Sequence, residues 1–176
     1  MLLAASLLER LDARDRALFH RCSFLSTSSR PARWFWLLLT HAGGAGCTIV
    51  AAILPLLVGG ALVPAARHAL ATLVMSHVLV QMVKRTVVRP RPSRRGSGIL
   101  LAAEPDRFAF PSGHSAAAMS VAIAYAVAYP TLALPLLLLA ALAGISRVFL
   151  GVHYPGDVLV GQLLAALTYL ALPARL

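Results

Sequence analysis

An all-α, integral-membrane helical bundle is predicted from three observations. Hydrophobic residues make up 59 % of the 176 residues and charged residues 12 %, whereas a soluble domain is nearer half apolar and a quarter charged. The apolar residues fall into about five runs of spanning quality, with six possible, separated by prolines, glycines and basic clusters. Fifteen arginines and one lysine against six acids give a net charge of +10. These arginines flank apolar runs, so anionic lipid headgroups and phosphate are the expected partners and nucleic acid is not. The length suits one domain, 1–176.

Taken in order, residues 2–25 place Leu3, Leu7, Leu11, Leu18, Cys22 and Leu25 at three- and four-residue multiples, with Glu9, Arg10, Asp12, Arg16 and Arg21 on other faces. This predicts an amphipathic helix lying in the membrane interface. It does not read as a secretory signal, because no basic region precedes the apolar run and acids interrupt it. Residues 26–31 form a polar break, and Trp34 and Trp36 mark an interfacial belt. The stretch 35–63, softened by His41 to Gly46, predicts a span near 44–63 with a lead-in segment. A second span covers 66–88 and ends before Arg89-Pro90-Arg91-Pro92, where each proline disfavours helix in the residue before it. Residues 89–113 form the long polar loop, with Arg94, Arg95, Gly96, Ser97, Gly98, Glu104, Asp106 and Arg107. Spans at 114–129, 131–151 and 156–172 complete the bundle, with Ser112 as an N-cap and Pro155 opening the last helix.

Three polar blocks stand out in this apolar chain. Lys84, the only lysine, lies on the last turn of the second span, and Arg91 follows between prolines. A phosphate needs cations from several directions, and arginine offers a planar fork of donors. Arg85, Arg89, Arg94 and Arg95 read as basic residues snorkelling from a helix end. In Pro111-Ser112-Gly113-His114, a helix N-terminus offers free amides, glycine allows close approach of a phosphate, and His114 can move a proton. The bland alternative is a plain Ser-Gly helix start. In the third block, Ser146-Arg147 is followed by His153 and Asp157. A carboxylate four residues from an imidazole can take the proton of one ring nitrogen and leave the other nucleophilic. The bland alternative has Asp157 stabilising a helix N-terminus. From these residues alone, which histidine attacks stays open.

Counting crossings brings the three blocks to one membrane face. Only 32 residues separate His114 from Arg147. Two helices and a turn must fit there, leaving ~15 residues or ~22 Å per helix against a hydrocarbon core of ~30 Å. The blocks therefore sink toward the headgroups, where a lipid phosphate sits. The acids are dispersed, with Asp157 alone after Asp106, so no carboxylate cluster is expected to hold a magnesium pair and no cofactor is implied. His20, His41, His68 and His77 have no partner at useful spacing and read as structural. Cys22 and Cys47 read as apolar fillers.

Lys84, six residues, Arg91-Pro92; Pro111-Ser-Gly-His114; and Ser146-Arg147, five residues, His153, three residues, Asp157: this resembles, without a gap, the three-part signature of the type 2 phosphatidic acid phosphatase superfamily, the lipid phosphate phosphatases. The motifs cover 84–157. The resemblance implies that His153 attacks phosphorus to form a phosphohistidine, Asp157 orients and polarises it, and His114 protonates the leaving group. It implies further that Lys84, Arg91, Ser112, the Gly113 amide and Arg147 bind the phosphoryl oxygens. The implied substrates are prenyl diphosphates, phosphatidylglycerophosphate and phosphatidic acid. Three other readings compete: a non-catalytic module binding phosphorylated lipid, a sugar phosphatase and a haloperoxidase of the same superfamily. The expected location is the cell (inner or plasma) membrane, multi-pass. The excess of arginine on the site's side predicts a cytoplasmic site by the positive-inside rule, whereas many relatives are thought to act on the outer face.

Overall fold

The computed structural model describes residues 2–26, 29–93 and 106–174, without the side chains of 2–8 and 23–26. The loop residues Arg94, Arg95, Gly96, Ser97, Gly98 and Glu104, and the side chains of Leu3, Leu7 and Leu25, lie outside the described residues. The fold is an all-α membrane bundle of seven helices among the described residues: α1 Leu2–Ser26, α2 Arg30–Ala42, α3 Ala45–Val58, α4 Val63–Thr86, α5 Gly113–Ala128, α6 Ala133–Phe149 and α7 Pro155–Ala171. A 3-10 turn, Pro130–Leu132, leads into α6.

Arg30–Val58, Val63–Thr86 and Pro130–Phe149 are long and apolar enough to cross a membrane, and α5 and α7 are shorter apolar helices. The lead-in segment before the first span is a helix in its own right. Ser29 caps it by accepting the Ala32 amide, Pro31 sits in its first turn, and Gly43 ends it. α2 and α3 together make one 29-residue candidate span, broken at Gly43-Gly44. The break has a packing cause: a Cβ on Gly43 would lie 2.5 Å from the Ala143 Cβ of α6.

α5 is the central helix and packs on α4, α6 and α7. Its buried positions are small: Ser115, Ala116, Ala118, Ser120, Ala122, Ala124 and Ala126. Small faces let helix backbones approach where no water drives them together. α4 answers with Ala65, Ala69, Thr72, Ser76, Val80 and Lys84 at helical spacing. Ser76 and Ser120 share a hydroxyl hydrogen bond of 2.9 Å between the two helices. The Tyr125 hydroxyl donates to the Ala51 carbonyl of α3 at 2.7 Å. The outer faces carry Leu134, Leu138, Leu159, Leu163, Leu167 and Leu170, all exposed, as a lipid-facing surface requires.

α1 docks on the bundle through Phe19. Leu11 and Leu18 remain exposed, while Phe19 of the neighbouring face is fully buried and meets the Tyr154 ring edge-on at 5.3 Å. The protein-facing side of α1 carries Asp12, Asp15 and Phe19. The exposed leucines suit the expected interfacial helix, and a different face of α1 meets the bundle.

Candidate active site

Four helix ends and one linker build the site. Lys84 lies on the last turn of α4, His114 on the first turn of α5, Arg147 on the last turn of α6, and Asp157 on the first turn of α7. The linker after α4 supplies Arg89 and Arg91. Its two ends are joined by a lone antiparallel bridge, Pro90 to Phe108, with the Ala109 amide donating to the Arg89 carbonyl at 2.8 Å. That bridge brings Asp106 to the cations.

The stretch after α6 folds tightly because its amides return to the helix end. The Val152 and His153 amides donate to the Arg147 carbonyl at 2.9 and 3.2 Å. Gly151 takes φ +79°, the left-handed conformation that suits glycine. His153 is thereby turned inward and almost wholly buried. Pro155 then opens α7, and Asp157 caps it: its Oδ2 accepts the Tyr154 amide at 2.8 Å. Asp157 thus caps the helix, and the same placement leaves its carboxylate beside His153.

Hydrogen-bond partners fix the tautomers. Arg91 Nη1 stands 3.0 Å from His153 Nε2. A guanidinium only donates, so Nε2 carries a lone pair and Nδ1 the proton. Nδ1 faces Asp157 Oδ2 at 3.6 Å, an ion-pair distance rather than a hydrogen bond. His114 Nε2 lies 2.6 Å from the Thr40 carbonyl oxygen. A carbonyl only accepts, so this nitrogen carries the proton and Nδ1 is free to titrate. Burial, and then the positive charges of Arg91 and Arg147, pull the His153 pKa down to about 4 despite Asp157. The imidazole is therefore neutral near pH 7.

The cations are held in place by partners that the motif does not contain. Arg91 is fully buried and binds Asp106 twice, from Nε to its carbonyl at 2.7 Å and from Nη2 to Oδ1 at 2.9 Å. It also donates to the Val152 carbonyl at 3.0 Å. Lys84 Nζ reaches the other oxygen of Asp106 at 2.6 Å. Burial works against the Asp106 charge, but Lys84 and Arg91 hold its carboxyl below the ordinary range. Arg147 Nη1 donates to the Thr40 hydroxyl at 2.8 Å, so Thr40 serves both Arg147 and His114. Ser112 is buried and caps α5, its hydroxyl accepting from the Ser115 amide at 3.4 Å and the Ser115 hydroxyl at 2.9 Å. The Ser112 amide donates to the Asp157 carbonyl at 2.9 Å. Gly113 starts the helix next to Val80 of α4.

Lys84, Arg91, Arg147, His153 and Asp157 thus converge, and His114 joins them through Thr40. Several partners lie outside the sequence reading. Thr40 belongs to the segment read as a lead-in. Asp106 was one of a pair of loop acids, and its position two residues before Phe108 at the chain's return was its one signal. Arg89 is not a snorkelling residue: it reaches Asp157 at 2.6 Å, Asp12 at 2.6 Å and Asp15 at 2.8 Å. Nor does Asp157 stand alone, since the fold gathers three carboxylates about that guanidinium. Among the described residues, no group of three or more His, Cys, Asp or Glu has the arrangement of a metal site. Arg85 is exposed, as expected of an interfacial arginine. Of the other histidines, His41 binds the Leu37 carbonyl of its own helix at 2.6 Å and His77 faces Gln81.

Beside the site, an apolar cavity of about 260 Å³ runs between the α2–α3 break, α5 and α6. Ala42, Gly43, Ala51, Ala122, Leu136 and Ala140 are among its lining residues. Gly43 lines it, and the next residue, Gly44, faces the His114 ring: a Cβ there would sit 3.3 Å from Cε1.

A family model described as PAP2 superfamily matches residues 65–175. The decaprenylphosphoryl-5-phosphoribose phosphatase of Mycobacterium tuberculosis is 36 % identical over 92 residues, 52 % of this chain and 50 % of that protein. The lipid A 1-phosphatase of Rhizobium etli is 31 % identical over 110 residues, 56 % of this chain and 47 % of that protein. The chain spans about half the length of these relatives. Among solved structures, a transmembrane PAP2-type phosphatidylglycerolphosphate phosphatase from Bacillus subtilis superposes with a TM-score of 0.72 at 25 % identity, covering 96 % of this chain and 88 % of that one.

Proposed function

We propose, from the premise that this chain belongs to the PAP2 superfamily, that it is a multi-pass phosphatase of the cell membrane that hydrolyses lipid phosphates. The observation that carries this reading is the tautomer of His153. Its Nε2 lone pair faces a guanidinium at 3.0 Å, and its protonated Nδ1 faces Asp157. That is the state of a nucleophile directed at an anion-binding cluster.

In the first step, His153 Nε2 forms a bond to phosphorus and the bond from phosphorus to the leaving oxygen breaks. His114, once the arriving anionic phosphate has drawn a proton onto its Nδ1, gives that proton to the leaving oxygen. Asp157 stabilises the positive charge that develops on His153. Arg91, Lys84 and Arg147, with the Ser112 hydroxyl and the Gly113 amide, take the phosphoryl oxygens. Binding requires the phosphate to replace Asp106 on Lys84 and Arg91. Water then attacks the phosphohistidine, phosphate leaves and His153 is restored. The groups are arranged for this chemistry without a cofactor.

A lipid substrate is favoured over a soluble sugar phosphate by the apolar cavity between the α2–α3 break, α5 and α6, whose lining residue Gly43 is next in the chain to the Gly44 that faces His114 and which offers room for a hydrocarbon tail. A prenyl carrier lipid or phosphatidylglycerophosphate is the preferred substrate. The test is phosphate release by the purified protein from a prenyl diphosphate, phosphatidylglycerophosphate and phosphatidic acid, with a soluble sugar phosphate as control. His153→Ala is expected to abolish release while the protein still folds, and labelled phosphate is expected to be trapped on His153 during turnover. Full activity in His153→Ala would sink the mechanism. A sugar phosphate turned over faster than every lipid would sink the substrate class.

A further inference from the structure

Arg89 is absent from the three sequence blocks, yet it makes the shortest contact to Asp157. Its Nη1 lies 2.6 Å from Asp157 Oδ1, the oxygen that does not face His153. The guanidinium carbon also sits over the Tyr154 ring, 4.2 Å from its centroid. It is fixed on its far side by α1: Nη2 meets Asp12 at 2.6 Å and Nη1 meets Asp15 at 2.8 Å. Asp15 makes a second attachment, accepting the Gly156 amide at 2.7 Å on the first turn of α7. A Cβ at Gly156 would fall 2.8 Å from Asp15 Oδ2, so the glycine is what lets α1 come this close.

Asp157 therefore works between two clamps. The Tyr154 amide holds Oδ2 and Arg89 holds Oδ1, which sets the plane of the carboxylate relative to the His153 ring. A full positive charge on Oδ1 would by itself weaken Asp157 as a partner for His153. Asp12 and Asp15 offset that charge. We propose that Arg89, balanced by Asp12 and Asp15 of α1, is a positioning residue for Asp157, and that α1 is thereby part of the catalytic apparatus. The inference rests on the phosphatase reading for its consequence in turnover, but not for its geometry.

The charged groups facing the His153–Asp157 pair come from α1, α4, the linker and α6. They are Asp12 and Asp15 of α1, Lys84 of α4, Arg89 and Arg91 of the linker, and Arg147 of α6. Arg16 pairs with Asp12 at 2.7 Å from behind. From α5 comes the Ser112 amide on the Asp157 carbonyl. Removing Arg89 takes a positive charge from this set and strengthens Asp157 as a partner of His153. Removing Asp12 and Asp15 takes away two negative charges and does the opposite. The two changes should shift the titration of His153 in opposite directions.

The experiment combines two readouts on detergent-solubilised full-length protein: NMR titration of isotope-labelled histidine, with the His153 signal identified by its loss in His153→Gln, and phosphate release from lipid. In Arg89→Ala the His153 midpoint is expected to rise by about half a unit or more, and kcat to fall about tenfold with little change in KM. Arg89→Lys keeps the charge and should return both part of the way. Asp12→Asn with Asp15→Asn should lower the midpoint. A folded Arg89→Ala with an unmoved midpoint overturns the inference. So does a rise in KM at unchanged kcat, which would make Arg89 a phosphate ligand instead. If Arg89→Ala does not fold, an unmoved midpoint in the Asp12→Asn, Asp15→Asn variant overturns it equally. Opposite midpoint shifts in a protein that releases no phosphate from any lipid would uphold the positioning role and sink the phosphatase reading.

Discussion

His153 is buried among guanidinium groups, and its pKa of about 4 lies below the 6.5 of a free imidazole. The sign of the consequence follows from which state binds the proton. Between those two values the unfolded chain takes up a proton on this residue and the folded chain does not. Stability therefore falls as pH is lowered from about 6.5 and levels off, for this residue, below about 4. Thermal unfolding in detergent at pH 7, 6 and 5 should show a steeper loss in the wild type than in His153→Gln. Equal slopes would mean that His153 is not held neutral. At this scale the sequence was legible where residues recur at fixed spacing: Lys84, Arg91, His114, Arg147, His153 and Asp157 all stand in short motifs. Their supports were not. Arg89 meets Asp12 across 77 positions, and Thr40 meets Arg147 across 107. Such pairs are made by helix packing, which leaves no local pattern to read.

Helices hold the site through close approaches that only glycine permits. Gly161 of α7 lies against the Ser112 carbonyl so closely that a Cβ would collide with it. Gly161→Ala must push α7 away from the Pro111–His114 block, and the Ser112 amide is bonded to the Asp157 carbonyl of that same helix. Destabilisation of about 1–3 kcal/mol is expected, with loss of activity beyond the loss of folded protein. Gly46→Ala, with nothing within 4 Å of the added carbon, should leave stability unchanged or slightly raised. Unfolding midpoints of the two variants check the contrast. The helices themselves were mostly visible from hydrophobic runs and proline boundaries. α4, α5, α6 and α7 fall within a few residues of the predicted spans. α2 was not separated, because Gly43-Gly44 reads as a loosening of an apolar run until Ala143 shows what presses against it. α1 was legible as an amphipathic helix, but nothing in its spacing showed that Asp12 and Asp15 are ion-pair partners for Arg89.

Across the whole molecule, the polar cluster lies at one end of the bundle and an apolar cavity lies between the α2–α3 break, α5 and α6. Ala122→Leu would fill that cavity from the α5 side. Its expected signature is a raised KM for long-chain lipid phosphates with turnover of a short-chain, water-soluble phosphate ester retained. Equal losses on both substrates would show that the cavity does not receive the tail. The helix lengths have a mechanical consequence as well. α5 has 16 residues and α7 has 17, so each reaches only ~24–26 Å along its axis at 1.5 Å per residue. Of the two, α7 presents exposed leucines to the lipid, so a bilayer with an apolar core of ~30 Å is expected to thin beside it, at an elastic cost that grows with acyl-chain length. The membrane is therefore expected to be thinnest on the α7 side of the protein, where lipids with short or loosely ordered tails fit most easily.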